Sequence, residues 1–186
     1  MDNVKILAVV GMSGSGKSVA VDHLTSKGYP KVYFGGMILK EMEKRGIEIT
    51  AENEKNFREM IRKTEGNDWV VRQVIVEIKD LVAAGQKRII LDGVYSWTEY
   101  KILKKEFPKT LTFIAIITDK KLRYDRVAKR PVRPLNATEI RERDRSEIEN
   151  LEKGGPIAAA DYFILNNGTI DEMANSIDGI LKEIDF

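Results

Sequence analysis

The 186-residue chain has no cysteine and a single histidine, His23. The first absence excludes disulfides, thiolate metal sites and cysteine nucleophiles; the second excludes a metal site built from a histidine cluster. Neither sign of charge is in excess, because 31 basic residues face 29 acidic ones and the formal net charge is +2. That balance gives no global reason to expect nucleic acid or a membrane as partner. No apolar run approaches the length of a membrane-spanning helix, and the first residues lack the pattern of a secretory signal, so the expected location is cytoplasmic. Internal repeats and low-complexity linkers are missing as well. What is present is ordinary: 42% hydrophobic and 32% charged residues. This is enough for one unit with a real core over 1–186.

The most informative stretch is Val4 to Ser18, VKILAVVGMSGSGKS. Its apolar first half reads as a buried parallel strand. It runs into Gly11-Met12-Ser13-Gly14-Ser15-Gly16-Lys17-Ser18, which fits the phosphate-binding loop G-x-x-x-x-G-K-[ST]. A helix pattern follows and stops at Gly28. Backbone N–H groups of such a loop converge on phosphate oxygens, and the helix dipole favours the same anion. Lys17 has the reach for the β- and γ-phosphates, and the Ser18 hydroxyl suits Mg2+. The candidate nucleotide-binding residues are Gly11, Ser13, Gly14, Ser15, Gly16, Lys17, Ser18 and Val19.

Strand-like and helix-like segments alternate, which predicts an α/β fold with a parallel sheet. Strands are expected at 4–10, 31–34, 88–91, 111–117 and 162–165. Helices are expected at 18–27 and near 37–45, 51–64, 68–84, 97–106, 120–129, 139–152 and 170–183. Ser96-Trp97-Thr98-Glu99 and Thr169-Ile170-Asp171-Glu172 read as capping boxes, with Thr138 and Asp119 as further N-caps. The helical segment at about 36–66 exceeds what a crossover needs and reads as an insertion serving a substrate site.

Asp92 ends an apolar strand, Arg88-Ile89-Ile90-Leu91-Asp92-Gly93, and an acid there suits a role in holding Mg2+ or its water. Arg126, Lys129, Arg130, Arg133, Arg141, Arg143 and Arg145 form a basic cluster. Guanidinium groups fork onto phosphate and neutralise charge during phosphoryl transfer. Interspersed acids also fit a solvated helix with i,i+4 ion pairs, so two to four of these arginines are expected to serve phosphate. Arg141 and Arg145 share a helical face while Arg143 points elsewhere. His23 reads as a surface or packing residue, Trp69 and Trp97 as packing, and Met37, Met42 and Met60 as core or pocket wall.

The P-loop, Asp92-Gly93, the arginine-rich stretch and the final Ala160-Asp161-Tyr162-Phe163-Ile164-Leu165-Asn166-Asn167-Gly168 together resemble the nucleoside monophosphate kinase and dephospho-CoA kinase superfamily. The nearest likeness is to archaeal adenylate-kinase-related proteins. The resemblance implies a three-layer α/β/α P-loop fold, with a five-stranded parallel sheet in the order 2-3-1-4-5. It also implies an acceptor-side insertion at about 36–66 and a lid at about 130–150. By the same likeness Arg126 lies on the adenine, Arg130 reaches the phosphates, Arg141 clamps the phosphoryl group in flight, and Asn167 and Gly168 pack on the adenine. Lys17, Arg130 and Arg141 are then the catalytic set, with Ser18 and Asp92 holding the metal.

The chain departs from the superfamily on the acceptor side. Relatives carry Gly-Asp-x-[LI]-Arg after the second strand, where this chain has Gly36-Met37-Ile38-Leu39-Lys40. They often carry Asp-Gly-[IV]-Arg-Ser at the metal strand, where this chain has Asp92-Gly93-Val94-Tyr95-Ser96. Two acceptor-side arginines are therefore replaced by a lysine and a phenol. Lys40, Arg58, Arg72 and Tyr95 are the acceptor-binding candidates, with Arg62 as a further cation of the insertion. The reading implied is an ATP- and Mg2+-dependent phosphotransferase on a nucleotide or nucleotide-like acceptor. A dephospho-CoA kinase-like or other hydroxyl kinase, with Asp92 as its base, is one alternative. A nucleotide-binding sensor or slow ATPase is another.

Overall fold

The computed structural model describes residues 3–131 and 134–186. Arg133, one of the seven residues of the basic cluster, lies outside the described residues. Five strands form one parallel sheet: β1 (Lys5–Val10), β2 (Lys31–Tyr33), β3 (Arg88–Asp92), β4 (Leu111–Ile117) and β5 (Tyr162–Leu165), in the order β2-β3-β1-β4-β5. Successive side chains of a strand point to opposite faces, and β1 shows it cleanly. Ile6, Ala8 and Val10 join one core cluster, while Leu7 and Val9 join the other.

The connecting helices cover both faces. α1 (Lys17–Ser26) and α9 (Ile170–Glu183) close the side that holds Leu7 and Val9. α2 (Phe34–Lys44), α3 (Ala51–Glu65), α4 (Trp69–Ala83) and α5 (Trp97–Glu106) contribute to the opposite core through Phe34, Phe57, Ile61, Val71, Val74 and Leu103. α6 (Lys120–Lys129), α7 (Ala137–Glu149) and the short α8 (Gly154–Ala158) lie between β4 and β5. This is the α/β P-loop architecture that the resemblance implies, with the strand order it implies.

Strand order reverses direction at β1, so the carboxyl ends of β1, β3 and β4 open a crevice where α/β sheets bind ligands. The P-loop links β1 to α1 at that crevice. Trp69 and Met42 are buried, and Trp97 stacks on Tyr100 at 4.8 Å, so these side chains pack as expected; Met60 is exposed. His23 is partly buried on α1, 2.8 Å from the Asp178 carboxylate of α9.

Three local expectations are corrected. α2 begins at Phe34, ahead of the expected 37, because β2 is short and the chain turns into the helix directly. α7 is capped by Asn136, whose side chain accepts from the Thr138 and Glu139 amides while Glu139 reaches back. Thr138 therefore lies inside the helix. α7 ends at Glu149, before the expected 152, and Glu152 takes a left-handed φ of 52° that turns the chain into α8, a helix not expected from the sequence.

Candidate active site

The P-loop end of the crevice is built from backbone. Ala20 is the first amide of α1 to close back on the helix, onto Gly16 O at 3.1 Å. The amides of Lys17, Ser18 and Val19 are therefore the orphan donors of a helix N-terminus. Gly16 caps that helix at φ 102°, a left-handed conformation a β-carbon disfavours. The loop is braced from β5 and β4: Asn166 Nδ2 donates to Ser15 O at 2.8 Å, and Thr118 Oγ1 donates to the same oxygen at 3.0 Å. Ser15 Oγ is buried without a hydrogen-bond partner among the described residues. Lys17 Nζ rests on Met12 O at 2.9 Å. Burial, and then Lys153, lower its pKa to about 7. A partly buried lysine held by a neutral carbonyl beside orphan amides fits a polyphosphate.

Beside the loop, Asp92 ends β3. Burial raises its carboxyl above the usual range, against the pull of Lys31 and Lys17. Ser18 is exposed at the first turn of α1. These are two oxygen donors near the same lysine, and Mg2+ typically takes one or two protein oxygens with waters and phosphate for the rest. The residues present fit that ion.

Arg126 lies where the loop after β5 meets the P-loop, donating to Asn166 O at 3.0 Å. Asn167 Oδ1 accepts from the Asp119 amide at 3.0 Å. Gly168 follows on the exposed bend before α9. Arg130 forms the C-cap of α6 in extended conformation and is partly buried.

α7 is fastened to the P-loop at two points. Arg123 of α6 makes a bidentate pair with Asp144 of α7, at 3.0 and 2.6 Å, and also donates to Ser13 O at 2.8 Å. One turn on, Glu147 accepts from the Ser13 amide at 3.2 Å and the Ser13 hydroxyl at 3.0 Å. Ile140, Asp144 and Glu147 form the buried face of α7, and their spacing sets its rotation. Arg143 then flanks the cleft and pairs with Glu147 at 3.3 Å. Arg141 falls on the exposed side and donates to Thr138 on its own helix at 3.0 Å. Arg145 is bound to Glu149, also exposed. The cleft arginine of α7 is thus Arg143, in place of the expected Arg141.

A cleft of about 680 Å3 lies between α3, the β2–α2 and β3–α5 junctions and the end of α7. Its cations are Arg58, Arg62 and Arg143; Tyr33, Phe34 and Tyr95 supply aromatic surface. Arg58 pairs with Glu54 one turn before it. Burial, and then the neighbouring Tyr33, hold the Tyr95 phenol above its ordinary pKa. Two candidates stand elsewhere. Lys40 pairs with Glu77 at 2.6 Å in a separate depression lined by α2 and α4. Arg72 is exposed at the start of α4, donating to Glu65 O at 2.5 Å with Asp68 at 3.4 Å. Starting α2 at Phe34 turns Ile38 to the cleft and Lys40 toward α4.

Sequence reasoning missed Glu147 and Lys153. Lys153 is 2% exposed, and its ammonium lies 3.0 Å from Glu147 Oε2. Burial works to raise the Glu147 carboxyl, but Lys153 and the two Ser13 bonds outweigh it and hold it below the usual range. The available signal was the pair Gly154-Gly155. A β-carbon on Gly155 would stand 2.7 Å from the Trp97 ring, so only glycine lets this segment sit so close.

Fold and loop together define an α/β protein of the P-loop architecture. Residues 7–150 match the family model AAA_18, described as an AAA domain. A UPF0200 protein of Thermococcus kodakarensis is 31% identical over 182 residues, spanning 96% of this chain and 97% of the relative. A UPF0200 protein of Methanosarcina mazei is 33% identical over 181 residues, spanning 96% and 95%. The chain belongs to the AAA_18 domain family and to the UPF0200 family. Among solved structures, the Thermus thermophilus protein TT1252 superposes with a TM-score of 0.66 at 17% identity, over 97% of both chains. A shikimate kinase from Acinetobacter baumannii in complex with shikimate gives 0.57 at 18%, over 97% of this chain and 94% of that one. A dephospho-CoA kinase from Campylobacter jejuni gives 0.55 at 15%, over 98% of both. These likenesses speak for the fold. Among the described residues no helix is long and apolar enough to cross a membrane.

Proposed function

We propose that this chain is an ATP- and Mg2+-dependent phosphotransferase acting on a nucleotide or nucleotide-like acceptor. The observation that carries the reading is the adjacency of two sites. The P-loop amides and Lys17 lie on one side of Glu147, and the cleft with Arg58, Arg62 and Arg143 lies on the other. Lys17 and the orphan amides hold the donor phosphates, and Arg126 with the Asn167-Gly168 loop borders the base. When bound, Mg2+ at Ser18 and Asp92 supplies charge neutralisation for the triphosphate. The arginines orient an anionic acceptor and offset charge that spreads as the phosphoryl group moves. Arg130, at the end of α6, joins the donor side in this reading. The segment from 130 through α7 acts as a lid whose second half is already fastened to the loop.

One observation favours a second reading, a hydroxyl kinase: burial raises the Asp92 carboxyl, which improves it as a general base. A coupled ADP-release screen over nucleosides, nucleoside monophosphates, dephospho-CoA and small polyols separates the two. Stimulation by monophosphates supports a phosphate acceptor, and stimulation confined to alcohols supports the base. Tight nucleotide binding without stimulation by any acceptor overturns both and leaves a sensor or slow ATPase.

A further inference from the structure

Lys153 reaches the junction of the two sites by deliberate local structure. Glu152, at φ 52°, reverses the chain after α7. The Lys153 amide then closes on Glu147 O at 3.0 Å. Gly155 lies against Trp97, which presses the segment inward. The side chain ends 3.0 Å from Glu147 and 5.1 Å from the centre of the Tyr95 ring.

Its partner is overcommitted. The Glu147 carboxylate already receives the Ser13 amide, the Ser13 hydroxyl and Arg143 as well as Lys153. Lys17 is close enough to Lys153 for each extra positive charge to tell on it. Three cations, Lys17, Lys153 and Arg143, thus meet two acids, Glu147 and Asp92; Lys153 and Glu147 are buried, Lys17 and Asp92 are partly buried, and Arg143 opens to solvent. A local excess of positive charge at the edge of a cleft favours an anion. Tyr95 lines the cleft, and the Lys153 ammonium stands behind it, over its ring.

We propose that Lys153 is a second phosphate-holding lysine, which contacts the transferred phosphoryl group between the P-loop and the acceptor cleft. Glu147 holds it in register until that group arrives. The inference rests on the phosphotransferase reading above. Transfer breaks the bond from the γ-phosphorus to the oxygen it shares with the β-phosphate, and that oxygen leaves with the electron pair. A bond forms from the γ-phosphorus to an acceptor oxygen. Lys153 supplies charge and hydrogen bonds and neither gives nor takes a proton.

The test compares binding of Mg·ADP with binding of Mg·ADP plus aluminium fluoride, a mimic of the phosphoryl group in flight, on the intact chain. Wild type is expected to bind the second at least about tenfold more tightly, the scale of a charge-assisted hydrogen bond. Lys153→Met is expected to keep Mg·ADP affinity within about threefold and to lose most of that gain, with Lys153→Arg recovering part of it. The double variant Glu147→Gln/Lys153→Met buries no lone charge and stands in if the single variant fails to fold. It is expected to lack the gain as well. A full gain in either Met variant overturns the proposal, since it leaves Lys153 a structural ion pair only. Wild type that binds Mg·ADP without any gain from the fluoride also overturns it. Wild type that binds no nucleotide overturns the underlying phosphotransferase reading together with it.

Discussion

The proposed donor and acceptor halves of the crevice are made differently. The donor half comes from one contiguous stretch, Gly11 to Val19, and works mainly through backbone amides whose positions follow from β1, a turn and α1. The acceptor half is assembled from side chains of α3, α7 and the junctions after β2 and β3. Backbone geometry survives sequence change, whereas a side-chain site moves whenever a helix rotates. The halves should therefore break differently. Lys17 is the charged side chain of the Gly11 to Val19 stretch. Lys17→Ala is expected to lower phosphoryl transfer by about a thousandfold in steady-state ADP release, with little loss of thermal stability. A rate near wild type would remove the P-loop from the mechanism.

The seam between the halves is a matter of stability. Arg123 and Asp144 are both nearly buried and tie α7 to the loop through Ser13 O. Arg123→Met leaves the Asp144 carboxylate without its partner and is expected to cost about 3–5 kcal/mol in chemical denaturation. Arg123→Met/Asp144→Leu, which buries no lone charge, is expected to recover a good part of that. Equal stability of the single variant and wild type would mean that α7 is not fastened at this point.

On the acceptor side the contrast is between neighbours on one helix. Arg143→Ala is expected to reduce transfer about ten- to hundredfold, chiefly in the acceptor's KM, while Arg141→Ala stays within about twofold. Lys40→Ala and Arg72→Ala are expected to behave like Arg141→Ala, because their partners are Glu77, Glu65 and Asp68 outside the cleft. The reverse ranking would restore the assignment made from sequence.

That ranking also marks how far the chain could be read without its structure. β1, the P-loop and α1 were legible because periodicity, glycine spacing and a helix stop agree over one short window. Strand order followed from resemblance to a known architecture. The rotation of α7 was not legible: from 136 to 152 the chain is mostly charged, and the pattern that turns it inward is Ile140 with two acids, Asp144 and Glu147. Such acids look like solvent-facing residues until Arg123, Ser13 and Lys153 are seen beside them. Lys153 was hidden for a similar reason, since its burial depends on a left-handed Glu152 and on Trp97 from another part of the chain.

The smallest expected effect concerns the proton on Lys17, the charged side chain of the loop. Burial lowers this lysine to about 7, against an ordinary value of 10.5. In the unfolded chain it therefore binds more protons than in the folded one across that window. Its contribution to folding is least favourable below pH 7 and improves as pH rises toward 10.5. A polyphosphate reverses the balance by favouring the charged ammonium. Nucleotide binding at about pH 8.5, where phosphates are fully ionised, should then take up a fraction of a proton approaching one. Titration calorimetry in buffers of different ionisation enthalpy measures that uptake, which Lys17→Met should abolish while Arg143→Ala leaves it unchanged. Uptake that persists in Lys17→Met would place the titrating group elsewhere, with Lys153 next in line, since burial also lowers it. The proton would then belong to the seam between the halves and not to the loop.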